Sequence, residues 1–306
     1  MSITKHSALP KESLSKVVLP KVVPPKVGVG LRHPHYELAL SRAADIDFVE
    51  IHTENFIMDG GANLALLERA RDLYDISFHC TALGLGSAVG VSAQALTKLA
   101  ELVERFDPLL VSDHLCFCWV DLDGRRVHAG DLLPVQRTRE SLGVLASNID
   151  RVQQAIGRPL LVENVTAYVN EPQQDFSETE FLCRLVERTG CSLLVDINNL
   201  LVNAHNMGCQ SPADYAMSWL EKIPPGAVGE IHLAGYTPVL RGEIAVDDHA
   251  APVSGLGWHI YEYALSRLGD VPTLVEWDNA LPSWTELQAE AMRARRVGNA
   301  IVGTGE

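Results

Sequence analysis

Leu160-Leu161-Val162-Glu163-Asn164 is an apolar run that stops on a carboxylate and an amide. The same grammar recurs in Val49-Glu50-Ile51-His52, Ile76-Ser77-Phe78-His79, Leu194-Val195-Asp196-Ile197-Asn198-Asn199, Glu230-Ile231-His232 and Leu274-Val275-Glu276. Asp247 and His249 follow in a loop. An ionised group at the end of a core strand needs a partner or a cation, because burying it alone is costly. In a closed parallel barrel all strand ends meet on one face, so residues far apart in sequence can surround the same ions.

Working outward from these runs, apolar strands are expected near 27–31, 46–52, 76–80, 109–115, 160–164, 192–197, 228–233 and 272–277. Amphipathic stretches near 35–44, 62–73, 92–106, 137–156, 178–189, 212–221, 256–268 and 283–297 read as helices. Ser92 and Ser177 carry N-cap signals, and Gly190 fits a C-cap. Eight strand–helix repeats predict a (β/α)8 barrel. An open doubly wound sheet is the alternative, but it would spread the strand ends along a line. Gly28-Val29-Gly30 lacks the third glycine of a dinucleotide-binding fingerprint, and no P-loop is present. Long loops are expected at Cys116–Gln136, with an Asp123-Gly124 turn, at Tyr168–Phe176 and at Tyr236–Pro252. Residues 1–26, with five lysines and four prolines, read as an extended arm, and 27–306 as a single catalytic domain.

The chain has 306 residues, 47% of them hydrophobic, and a formal net charge of −14. That acidity argues against nucleic acid, whose phosphates require a basic surface. No apolar stretch is long enough for a membrane span, and no secretory signal is visible, so a cytoplasmic location is expected. The six cysteines lack C-x-x-C spacing and read as reduced, mostly buried thiols.

Imidazole and carboxylate together suit zinc, iron and manganese. The candidate ligands are His52, His79, Glu163, Asp196, Asn199, His232, Asp247, His249 and Glu276, too many for one ion. Two or three metals sharing a bridging carboxylate fit better, with Glu163 as the bridge. Asp196 and Asn199 reach inward together if the chain turns after the sixth strand. Asn164, Asn198 and Asn203 read as bracing or turn groups. Asp113-His114 closes the fourth strand and is ambiguous between support, substrate contact and ligation. Asp113 and His205 are the candidates for proton transfer. His33 and His35 read as rim packing.

Several of these stretches together resemble the multinuclear non-heme iron-dependent oxidative enzymes, of which a methanobactin-biosynthesis enzyme is a member. The matching residues are Gly28-Val29-Gly30-Leu31-Arg32, Glu50-Ile51-His52-Thr53-Glu54-Asn55, Ser112-Asp113-His114-Leu115, Val162-Glu163-Asn164, Asp196-Ile197-Asn198-Asn199, Glu230-Ile231-His232-Leu233-Ala234-Gly235 and Glu276-Trp277-Asp278. The resemblance implies a xylose-isomerase-like barrel holding two or three iron ions of mixed ferrous and ferric state, with dioxygen as co-substrate. It implies a cysteine-bearing, ribosomally made precursor peptide as substrate, modified by ring formation or carbon excision, and a small partner protein that presents it. By matching position, His52, His79 and Glu163 would hold one iron. Glu163, Asp196, His232 and Glu276 would hold a second, and Asn199, Asp247 and His249 a third. Asparagine stands where apurinic endonucleases of similar spacing place histidine, which weakens the third site.

Two rivals remain at this level. One is a redox-inactive divalent-metal hydrolase or isomerase on the same barrel, since fold alone does not decide chemistry. The other is a binding module that has lost catalysis, disfavoured by the intact ligand series.

Overall fold

The computed structural model describes residues 25–58, 60–169 and 173–303. Most of the expected N-terminal arm, 1–24, and part of the Tyr168–Phe176 loop therefore lie outside the described residues. At the arm's end, Lys26 Nζ sits 2.8 Å from Asp75 Oδ2.

The strands are β1 (Val27–Gly30), β2 (Phe48–His52), β3 (Asp75–His79), β4 (Leu110–His114), β5 (Cys116–Leu122), β6 (Arg125–Pro134), β7 (Leu161–Glu163), β8 (Ser192–Asp196), β9 (Val228–Leu233) and β10 (Thr273–Val275). The helices are α1 (Tyr36–Ser41), α2 (Ala62–Arg71), α3 (Ala93–Phe106), α4 (Arg139–Ile156), α5 (Glu178–Thr189), α6 (Ile197–Asn206), α7 (Pro212–Glu221), α8 (Gly255–Leu268) and α9 (Trp284–Gly303). Eight strands close a parallel barrel in the order β1-β2-β3-β4-β7-β8-β9-β10. All eight expected strands are present, and the barrel replaces the open-sheet alternative. No helix among the described residues is long and apolar enough to cross a membrane.

The two-residue period of each strand sorts its side chains. Val29, Val49, Ile51, Ile76, Phe78, Val111, Val162, Val195, Ile231 and Val275 face outward and form one apolar core with the helices. Helix α3 shows how that layer is made: Leu99, Leu102, Val103 and Phe106 follow a helical period, are buried, and set Phe106 edge-on against Phe78 at 6.3 Å. The intervening residues face the axis. Gly28 does so because a Cβ there would lie 2.5 Å from the Phe48 ring, so a side chain on β1 would collide with the one on β2. Gly30 likewise leaves space that the Arg32 guanidinium fills.

Two regions differ from expectation. The stretch expected as a loop after the fourth strand is an antiparallel hairpin, β5–β6, with Leu122 paired to Arg125. Asp123 (φ 54°) and Gly124 (φ 77°) both turn through the left-handed region, as a tight two-residue hairpin turn requires. Trp119 anchors the hairpin by donating to the Ala82 carbonyl at 2.7 Å, with Arg126 stacked 4.9 Å over its ring. The second region is α6, expected as a turn followed by loop. Its four asparagines disfavour a helix intrinsically. Tertiary hydrogen bonds from Asn198, Asn199, Asn203 and Asn206 to Asp247, Asn164, Val165 and Ala245 override that preference. Of the expected caps, Ser177 accepts from the Glu180 amide and Gly190 ends α5 at φ 68°. Ser92 precedes α3 without a side-chain cap.

Candidate metal centre

The strand ends of β2, β3, β4, β7, β8, β9 and β10 bring their last inward-facing residues to one pole. There a cavity of about 210 Å³ is lined by His52, His79, His114, Glu163, His249 and Glu276, among others. Thr166, Asn199, Asp247 and Asp278 complete its sides, and Asp131 and Leu132 of the hairpin reach its rim.

Three donor atoms form the tightest group. His79 Nε2, His114 Nε2 and Glu163 Oε2 stand 3.3–3.4 Å from one another. Donors bound tetrahedrally at ~2.1 Å to one cation are separated by about 3.4 Å. Two imidazole nitrogens facing each other at 3.3 Å also need a shared cation or a proton between them. His79 is held by Ser112, whose hydroxyl lies 2.7 Å from Nδ1, and His114 by Asp113, whose Oδ1 lies 3.3 Å from Nδ1. Each imidazole thus has its second nitrogen engaged behind it, as ligating histidines do.

Further groups adjoin this one. Glu163, Asp196 and His232 present donors within 4.8 Å of one another, as do Asp196, His249 and Glu276. His249 Nε2 lies 2.8 Å from Asp247 Oδ1 and 3.9 Å from Asp196 Oδ2. Asp196 caps α6 with Oδ1, accepting from the Asn199 amide at 2.6 Å, which leaves Oδ2 for the cavity. Glu276 Oε2 stands 3.0 Å from His232 Nδ1 and 3.5 Å from His249 Nδ1.

Among the described residues, Glu163 Oε2, Asp196 Oδ2, both ring nitrogens of His232 and His249 Nε2 are buried and make no aligned hydrogen bond, their near neighbours being other ionisable groups of the site. Beneath them Glu50 Oε1 and both Glu230 oxygens are equally unpartnered. Buried polar atoms are almost always satisfied, so this concentration of orphans aimed at one space fits a set of cations. The electrostatics agree. Burial lifts the Glu163 carboxyl to about 7, against the opposing pull of His114 and His232. Burial, then Asp247, raises Asp196 well above the carboxylate range, and burial with Glu50 does the same to Glu230. Burial works against protonation of His114, yet Glu163 and Asp113 outweigh it and raise it to about 9. Burial, then His114, depresses His79 well below its usual value, so it offers a free lone pair. Cations among these groups replace protons that the metal-free site is driven to take up.

Eight of the nine expected ligands, His52, His79, Glu163, Asp196, Asn199, Asp247, His249 and Glu276, lie together at the pole. His232 sits just beneath them. Their grouping differs from the expected sets. His52 stands apart from the His79–Glu163 pair, facing Glu276 at 3.9 Å and Asp278 at 4.0 Å, and His114 takes the place beside His79. Asn199 lines the cavity, but its oxygen accepts from Thr166 at 2.6 Å and its amide donates to the Asn164 carbonyl. The amide that contacts Asp247 is Asn198, at 2.7 Å.

The two residues expected to move protons are elsewhere. Asp113 shares the outward face of β4 with Val111, because it is one residue out of phase with His114. It accepts from the Leu83 amide and braces His114 instead of lining the cavity. His205 lies near the end of α6, where Nε2 meets the Glu243 carbonyl at 3.0 Å, beside a different surface cavity. Asn164, expected to brace, exchanges two hydrogen bonds with the Asp196 backbone. His35 packs on Trp284, consistent with a packing role.

Sequence reasoning missed four contributors. Arg32, its side chain only 11% exposed, donates to Asp278 Oδ1 at 2.5 Å and Glu276 Oε1 at 3.0 Å, fixing both carboxylates. Asp278 also reaches His249 Nδ1 at 3.4 Å. Glu50 and Glu230 sit one layer below, each two residues before an inward-facing histidine. The period-two spacing in Glu50-Ile51-His52 and Glu230-Ile231-His232 was the available signal.

Comparison with known proteins agrees with this picture. Residues 26–299 match the family model described as RiPP precursor modification enzyme MbnB/TglH/ChrH, RiPP denoting a ribosomally synthesised and post-translationally modified peptide. A UPF0276 protein of Chromobacterium violaceum is 41% identical over 275 residues, covering 90% of this chain and 95% of the relative. One from Caulobacter sp. strain K31 is 40% identical over 271 residues, covering 88% and 95%. Among solved structures, endonuclease IV from Thermus thermophilus superposes with TM-score 0.55 at 17% identity, covering 90% of this chain and 99% of that one. A xylose isomerase-like TIM barrel protein from Mycobacterium smegmatis, in complex with magnesium, gives 0.57 at 11%, covering 91% and 97%. At such identities the solved structures establish the xylose-isomerase-like barrel alone. The match across nearly the whole folded chain places it in the MbnB/TglH/ChrH family of RiPP precursor modification enzymes.

Proposed function

We propose that this protein is a non-heme iron enzyme that uses dioxygen to modify a cysteine of a ribosomally made precursor peptide. The observation that carries the metal part is the convergence of buried donors, many of them unpartnered, at one pole: His79, His114, Glu163, Asp196, His232, His249 and Glu276. An imidazole–carboxylate set without thiolate suits iron, and a shared carboxylate suits more than one ion. Family membership supplies the substrate class. Bound iron would supply one-electron chemistry with dioxygen and a binding place for a substrate thiolate.

The chain's own residues do the rest. Glu163 touches the His79–His114 pair and adjoins the Asp196–His232 group, so it would be the carboxylate shared between two ions. Arg32 balances Glu276 and Asp278 so that neither turns away. Tyr168 holds the Asp247 segment by accepting from its amide at 3.0 Å, and Asn198 fixes the Asp247 carboxylate. The small cavity admits a side chain rather than a folded segment, so the peptide must cross the mouth and insert one residue. Exposed Tyr168, Val169, Leu240, Ile244 and Val246 come from the two loops that supply Thr166 and Asp247. They support docking of the peptide or of a small partner protein there.

The test is anaerobic purification with metal analysis, followed by incubation with the precursor peptide with and without oxygen. Iron-dependent, oxygen-dependent mass change at cysteine supports the proposal. A redox-inactive hydrolase or isomerase is the second reading, favoured by fold neighbours such as L-ribulose 3-epimerase, with TM-score 0.57 at 16% identity. Activity with zinc or magnesium alone, indifferent to oxygen, would establish it instead.

A further inference from the structure

One layer beneath the metal centre, on the barrel axis, lies a feature the ligand set does not use. Glu50 on β2 and Glu230 on β9 are fully buried and face His232 from below. Glu50 Oε1 is 3.6 Å and Glu230 Oε1 3.8 Å from His232 Nε2. The other ring nitrogen, Nδ1, faces Glu276 Oε2 at 3.0 Å, on the side of the centre. Of the two carboxylates, Glu50 is the anchored one, because the Ser77 hydroxyl donates to its Oε2 at 2.9 Å. Its remaining oxygen has no hydrogen-bond partner.

We infer that Glu50 is a positioning residue for the metal centre: its carboxylate, 3.6 Å behind His232 Nε2, holds the ring proton on that nitrogen electrostatically and thereby leaves Nδ1 as the metal-binding lone pair. An imidazole can serve a metal through one nitrogen only if the other carries the proton, and an anionic acceptor behind the ring both fixes that tautomer and strengthens the donor. Ser77 holds the acceptor in line. The arrangement also explains why a carboxylate without a hydrogen-bonded cation is tolerated in the barrel interior. Its cost is offset when the imidazole in front of it carries a metal's charge.

This inference rests on the metal reading above, and the test separates the two. Cobalt(II), as a surrogate for ferrous ion, is titrated into the metal-free full chain against a competing chelator, with visible ligand-field bands recorded. Wild type, Glu50→Gln and Ser77→Ala are compared, each also melted without metal. The expected result for Glu50→Gln is a melting temperature equal to or above wild type, since a buried unpaired charge is gone. One class of cobalt sites weakens by about 10–100-fold with altered bands, and the others are unchanged. Ser77→Ala, which keeps the charge but loosens its placement, weakens the same class less. Unchanged affinity and bands in both variants overturn the inference, as does uniform loss of every site together with a lower melting temperature. Wild-type protein that takes up no cobalt overturns the metal reading itself.

Discussion

Stripping the metals should make this protein pH-sensitive in a definite direction. Without cations, burial raises Glu163 from 4.5 to about 7. A carboxyl whose folded pKa is raised binds more protons folded than unfolded between those values, so stability falls as pH rises through that window. His114 is raised from 6.5 to about 9. Its stabilisation is full below 6.5 and is lost as pH climbs through 9, which acts in the same direction. Asp113, Asp196 and Glu230, also raised, add to the trend. Glu276, held well below its usual range by His249 and His232 against the effect of burial, loses its contribution only in stronger acid. The Glu163 displacement alone corresponds to about 3 kcal/mol. For a domain of this size that is a fall in melting temperature of about 6–12 °C between about pH 5 and pH 8. Bound metal replaces the protons, so the loaded protein should gain relative stability as pH rises. Thermal melts of chelator-treated and metal-loaded protein across that pH range measure both curves. Glu163→Gln removes this contribution and should flatten the metal-free curve by about the stated amount. Metal-free stability that is level or rises over the same range, or metal protection equal at both ends, would refute the reasoning.

Arg32→Ala leaves Glu276 and Asp278 without their guanidinium partner and should cost about 3–5 kcal/mol in denaturant melts of the metal-free protein. Gly28→Ala drives a methyl into the Phe48 ring and should destabilise by about 1–3 kcal/mol without changing metal stoichiometry. His249→Ala should lower bound metal by elemental analysis, whereas His205→Ala should leave it intact; equal losses would contradict the placement of His205 outside the centre. Asp113→Asn removes the negative charge behind the His114 ring and should weaken metal binding by about 10–100-fold in chelator competition.

The barrel was legible because its signal is repetitive: each apolar run, such as Leu160–Val162, ends on a polar group that a closed core would exclude. The convergence of Glu163, Asp196, His232 and Glu276 followed from closure alone. What sequence could not decide was phase and partner. Asp113 and His114 are adjacent, and only the strand register shows that His114 faces the axis while Asp113 backs it. His205 lies in Ile197–Asn206, a stretch of poor helix propensity. Its helix depends on contacts to Asp247, Val165 and Ala245 that sequence does not reveal. Arg32 lies after a strand that ends in Gly30, and its pairing with Asp278 spans 246 residues. The hairpin was hidden because Arg125–Asp131 is exposed and polar, although Asp123-Gly124 marked its turn.

The central claim is that scattered histidines and acids form a cradle for more than one redox-active iron. Anomalous X-ray scattering at the iron edge, from crystals of anaerobically purified protein, tests it most directly. The account predicts at least two iron peaks within the space bounded by His79, His114, Glu163, Asp196, His249 and Glu276, with Glu163 between them. No iron signal there, or a single zinc in its place, would contradict it.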